Sequence, residues 1–264
     1  PELRQQLLDT FASSFNLATP LWRPLQQWSA ARLSQGKQDV PASMRMLMAE
    51  RHLNAGDVVA CQAAMAGLSG VGVQVMDAAC LAFAGQWPEA ARDFASTLKD
   101  AAKALHVKRG IVHFDLAQWY LLSLMAQPDP AAWTQAHKFC VAESGTRQPA
   151  PDEGWGLWAH ATAARLGDAT LQPAVLAWPA SPYRQAQTDD NANRLILAAW
   201  LGHTPLSWTA DATLATARAL LVAGKPWKAD LLRQACARLG LPVPARQPDE
   251  GPAWPVAFFG NPQE

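Results

Sequence analysis

The chain has 264 residues, with 22 basic and 22 acidic side chains and no formal net charge, a length that suits one large domain or two ordinary ones. Half of the residues are hydrophobic and 17% are charged, which excludes wholesale disorder, and the neutral balance argues against a broad nucleic-acid footprint. No apolar run approaches the ~18 residues that span a bilayer, and no charged-then-apolar leader opens the sequence. A cytoplasmic chain without membrane contact is therefore expected. Because it begins at Pro1 and stops at Gln263-Glu264 without a terminating signal, it is expected to be a piece of something longer.

Nearly every segment carries a helical period and almost none alternates as a strand would. Leu3, Leu7, Leu8 and Phe11 share one helical face. Met44, Leu47, Met48 and His52 share another, in a segment opened by Pro41 and closed near Asn54. Helices are predicted over 71–84 and 87–105, separated by Gly85-Gln86, then over 111–125, which Pro128-Asp129-Pro130 ends because proline cannot continue a helix. Further helices are predicted over 131–142, 155–166, 169–177, 183–201, 210–223 and 226–239, with alanine, the best helix former, supplying much of the propensity. The loop 145–154 is rich in proline and glycine and is the best internal boundary, a weak break at 144–154 within a helical domain over 1–240. The tail 241–264 holds six prolines, so it is mostly non-helical; its Trp254, Val256, Phe258 and Phe259 are too apolar for a free linker and are expected to dock.

The turns repeat in form. Asn54-Ala55-Gly56-Asp57, Phe83-Ala84-Gly85-Gln86, Arg165-Leu166-Gly167-Asp168 and Val222-Ala223-Gly224-Lys225 each follow one apolar helix and precede another. Glycine there supplies the left-handed cap that ends the first helix, and a short connection turns the second back on it. Gly85-x-Trp87-x-Glu89-Ala90, with Phe94 four residues on, resembles the central turn of a tetratricopeptide repeat, in which Gly85 ends the first helix, Trp87 packs the turn and Ala90 lets the helices approach. Gly56, Asp57, Val58, Cys61 and Met65 resemble it more loosely. Gly56 and Gly85 lie 29 residues apart, short of the period of about 34, so the array is degenerate. The expected fold class is all-α: a right-handed array of antiparallel helical hairpins, a tetratricopeptide-like α-α superhelix of about a dozen helices.

Residues that carry chemistry are thinly spread. Cys61, Cys80, Cys140 and Cys236 lie far apart in apolar segments, without the two-to-four-residue spacing of a zinc site, and read as reduced, buried thiols. His52, His106, His113, His137, His160 and His203 form no close ligand pair. Nucleotide-binding loops, the nucleophile elbow and the paired-histidine protease motif are all missing. Asp152-Glu153 and Asp249-Glu250 sit in Pro/Gly loops without the apolar strand that aims an ATPase acid at magnesium. Twelve tryptophans are many for this length, yet Trp22, Trp28, Trp119, Trp158, Trp200 and Trp227 lie on apolar faces or turns and read as core rather than a stacking platform. One basic cluster stands out: Lys99, Lys103, His106, Lys108 and Arg109. It complements the dipole at a helix C-terminus, and it is also the candidate contact for nucleic acid or an acidic partner.

Residues 81–142 run as an apolar helix, the Gly-x-Trp turn, a long helix ending at Lys108-Arg109, the aromatic-rich stretch Phe114-Asp115-Leu116-Ala117-Gln118-Trp119-Tyr120-Leu121-Leu122, Asp129-Pro130 and another helix. This order resembles the helical accessory region upstream of the ATPase core in some large bacterial Swi/Snf-type helicases, as does Gly224-Lys225-Pro226-Trp227 with Leu231 and Leu232. The resemblance implies a non-catalytic, regulatory or partner-binding region of a DNA-dependent ATPase, with no cofactor of its own. Its partner would be another protein or its own ATPase module, with weak nucleic-acid contact through Lys99, Lys103, Lys108 and Arg109. The alternatives are a helical-toroid enzyme acting on carbohydrate, which needs two facing carboxylates, and a free-standing helical scaffold.

Overall fold

In a computed structural model of the chain, the residues described are 31–32, 40–54, 56–104, 114–144, 154–168, 187–204, 208–222, 225–246, 253–254 and 256–259. Among them every regular element is helical, in ten helices: α1 Ala42–Asn54, α2 Val58–Met65, α3 Val71–Phe83, α4 Trp87–Ala104, α5 Phe114–Met125, α6 Pro130–Ser144, α7 Gly154–Arg165, α8 Gln187–Leu201, α9 Ala210–Val222 and α10 Pro226–Arg238. None of these is long and apolar enough to cross a membrane.

Local chemistry accounts for the helix ends. The Asp57 carboxylate accepts from Ala60 N at 2.9 Å and starts α2. Asp129 Oδ1 accepts from Ala131 N at 2.8 Å, with Pro130 placed where its missing N–H costs nothing. Four of the stops share one geometry. After α3, Gly85 has φ +76°, its N–H reaches Ala82 O at 3.0 Å and the Gln86 N–H reaches Leu81 O at 2.9 Å. These paired bonds satisfy carbonyls that a helix end leaves free, and the left-handed residue between them favours glycine. The same pairing follows α1 at Gly56-Asp57, α7 at Gly167-Asp168 and α10 at Gly240-Leu241. α2 ends at Met65, and Ala66-Gly67-Leu68-Ser69-Gly70 separates it from α3, which starts at Val71 as the sequence predicts.

Each helix packs on its successor, and α1 also touches α3, α3 touches α5 and α8 touches α10. One apolar cluster runs through the array from Met48 to Phe258. Much of it is alanine, including Ala78, Ala79, Ala82, Ala90 and Ala91. Alanine brings backbones close and loses no rotamer entropy on burial. Ala90 and Phe94 are fully buried, one turn apart on α4. Thiols follow the same rule, since Cys61, Cys80, Cys140 and Cys236 are all reduced and buried.

The end of the array returns to its middle. Trp119 of α5 and Trp227 of α10 stack with centroids 4.3 Å apart, and buried Lys228 donates from Nζ to Gln118 Oε1 at 3.1 Å. The chain beyond α10 then lies across the same region. Trp254 sits 5.3 Å from Phe83 and 5.8 Å from Trp119, while Phe258 contacts Trp87 at 5.3 Å and Trp200 at 4.6 Å. Trp119, Trp158 and Trp227 are buried in the core, and Trp200 packs against it. Trp22 and Trp28 lie outside the described residues.

Candidate functional site

A groove of about 560 Å³ opens between α4, the end of α5 and the start of α6. Ala91, Ala95 and Ser96 form one wall and Ala131, Ala132 and Gln135 the other. On α4 the spacing of Ala91 and Ala95 places both on one face, where larger side chains would close the cleft. The volume lies within the ~300–1,000 Å³ common to ligand sites. Leu124 adds an apolar floor.

Polar groups sit at its edges. Arg92 lies on the rim with its side chain 72% exposed, paired to Asp93 at 3.2 Å. Asp129 also lines the groove, its carboxylate engaged in capping α6. Gln135 Nε2 donates to Tyr120 Oη at 2.7 Å; burial raises the Tyr120 pKa, and this hydrogen bond partly offsets it. Trp133 Nε1 donates to Gln127 O at 3.2 Å, pinning the α5–α6 connection. The Arg165 guanidinium lies 5.7 Å from the Trp133 ring centre, which ties α7 to the same wall. A recessed surface of small side chains, with the Arg92–Asp93 pair at its rim and glutamine amides along its wall, is suited to holding a partner segment.

A second polar assembly fastens the tail. Asp230, buried in α10, accepts from Arg233 Nη1 at 2.8 Å, from Arg246 and from Trp254 N at 3.0 Å. Arg233 Nε donates in turn to Pro244 O at 3.0 Å. Such a carboxylate is tolerated in the interior because its lone pairs are met on several sides. Gln234 adds two links, from its Nε2 to Val256 O at 2.9 Å and from Phe258 N to its Oε1 at 2.8 Å. The sequence signal for this assembly is thin: Asp230 and Arg233 lie one turn apart in a helix that also carries Lys228, Gln234 and Arg238.

The basic cluster lies largely beyond reach of description. Lys99 and Lys103 fall in the last turns of α4, and their side chains, with Lys108, Arg109 and His106, lie outside the described residues. So do Asp152-Glu153 and Asp249-Glu250. The turn residues are described: Gly85 adopts its left-handed conformation, Trp87 meets Trp254 edge-on at 6.1 Å, and Ala90 and Phe94 are fully buried. Among the described residues, no three His, Cys, Asp or Glu side chains group closely enough to hold a metal ion. No family model, curated protein or solved structure matches the chain. The site must be read from its own geometry.

Proposed function

We propose that the chain is a non-catalytic protein-interaction or regulatory domain, built as tetratricopeptide-like hairpins, whose recognition surface is the α4–α6 groove. The observation that carries this reading is the recessed, small-residue groove itself, bordered by Arg92 and Asp129. Stacked helical hairpins hold partner segments in this way, because rigid helices pre-pay the ordering of the surface. The groove-lining residues fall in residues 81–142, the stretch that resembles the accessory region of bacterial Swi/Snf-type helicases. On that ground the parent protein is a DNA-dependent ATPase, the partner is its ATPase module or a bound protein, and the compartment is the cytoplasm.

The test uses peptides selected from a random library on the whole chain. Ser96 is exposed and lines the groove, so Ser96→Trp fills the cleft with little effect on folding. Selected peptides should lose at least tenfold in affinity for that variant while its melting temperature is unchanged. Peptides that bind both proteins equally would place recognition elsewhere. Turnover of ATP by the chain in the presence of duplex DNA would overturn the non-catalytic reading.

A further inference from the structure

Of the four buried thiols, two meet. Cys61 of α2 and Cys80 of α3 have their Sγ atoms 3.6 Å apart, in contact and 19 residues apart in sequence. Cys140 lies in α6 and Cys236 in α10 beside Thr213. A disulfide needs the sulfurs at about 2.05 Å, so the first pair has about 1.5 Å left to close. When Cys80 ionises, the Cys61 thiol donates to it; this hydrogen bond lowers the Cys80 pKa against the opposing effect of burial and correspondingly raises that of Cys61. At Cys140 and Cys236 burial outweighs such help: it raises Cys140 against a backbone hydrogen bond, and Cys236 to about 12 against the Thr213 hydrogen bond and the nearby Arg233.

Access is built into α2. This helix has eight residues and buries only Cys61, Ala64 and Met65, while Val59 on its outer face is 77% exposed. Left-handed glycines bracket it, Gly56 before and Gly67 and Gly70 after, and a Cβ at any of the three would meet nothing within 4 Å. Its far end is tied by Arg45, whose Nε donates to Ala64 O at 2.9 Å and whose Nη2 bonds Ala66 O. A helix this short is marginal without its packing, so α2 is among the first elements to open locally and admit a small reagent.

We infer that Cys61 and Cys80 are a reversible oxidation site, a dithiol that a peroxide converts to a disulfide stapling α2 to α3. In the first step the Cys80 thiolate attacks one peroxide oxygen; the O–O bond breaks, an S–O bond forms and hydroxide leaves, taking up a proton as water. In the second step the Cys61 thiolate attacks the Cys80 sulfur; the S–S bond forms, the S–O bond breaks and hydroxide leaves to become a second water. The two thiols lose two electrons and two protons, and the peroxide is reduced to two waters. A dithiol reductant reverses the bond.

The full chain, exposed to a small excess of hydrogen peroxide, alkylated and then digested, tests this by mass spectrometry. The expected product is one crosslinked peptide pair containing Cys61 and Cys80, with Cys140 and Cys236 recovered as alkylated thiols and the crosslink lost on dithiothreitol treatment. In Cys61→Ala the crosslink should vanish, and a 1,3-diketone probe should trap Cys80 as its sulfenic acid. Melting temperature before and after oxidation of the wild-type chain is the second readout, with a rise of roughly 5–10 °C expected for closure of a loop this size. Oxidation spread evenly over all four cysteines, or Cys61 and Cys80 both recovered reduced after Cys140 has reacted, would overturn the inference.

Discussion

Trp254 is the residue on which the tail turns, and Trp254→Ala measures what that contact contributes. The ring lies within 6.1 Å of Phe83, Trp87, Trp119 and Phe258, and its Nε1 donates to Phe83 O at 3.3 Å. Truncating a tryptophan in a packed core costs about 3–5 kcal/mol. The tail can relax or detach, which caps the loss, so about 3 kcal/mol is expected. For a chain of this size that lowers the melting temperature by roughly 6–12 °C. Urea unfolding followed by far-ultraviolet circular dichroism is the assay, because fluorescence would report eleven other tryptophans. Trp254→Phe removes the donor and part of the ring system but keeps an aromatic in place, and should cost less, about 1–2 kcal/mol. A loss below about 1 kcal/mol for Trp254→Ala, with an unchanged denaturant slope, would show that the tail adds nothing to the core and refute the packing argument.

Ala90→Leu places three extra carbons in a fully buried position on α4, and overpacking should cost about 1–3 kcal/mol; unaltered thermal stability would contradict close approach of α3 and α4. Gly85→Ala combines a left-handed φ of +76° with a Cβ 3.2 Å from Val256 Cγ1, so a drop of about 1–2 kcal/mol is expected, and equal stability in urea would count against both. Burial raises the pKa values of Cys140, Cys236 and Tyr120, so folding favours their neutral forms. That stabilisation is complete below the ordinary values of 9.0 and 10.0 and is lost as pH climbs toward the folded values, about 12 for Cys236. The urea midpoint should therefore hold at pH 8 and fall by pH 11, and a flat profile would sink the assignment. Replacing Lys99, Lys103, Lys108 and Arg109 together with alanine should abolish a weak, salt-sensitive association with duplex DNA; equal binding by the fourfold variant in fluorescence anisotropy would eliminate the patch.

What the sequence by itself determined lies within a few residues of each backbone group. Helix starts at Asp57 and Asp129, stops at Gly56, Gly85 and Gly167, and the all-helical class were legible because caps, left-handed glycines and the 3.6-residue period act over three to six positions. The burial of the four cysteines and of Trp119, Trp158 and Trp227 followed from their apolar neighbours. The start of α3 at Val71 was legible too, because Gly67 and Gly70 interrupt the helical period before it. The α4–α6 groove, the return of Trp227 onto Trp119, the three donors around Asp230 and the meeting of Cys61 with Cys80 were not legible at all. Each depends on how whole helices seat against one another, the sum of many weak contacts between residues distant in the chain. Only the tertiary structure decides which of the many apolar faces meet, and with them which polar groups and thiols become neighbours.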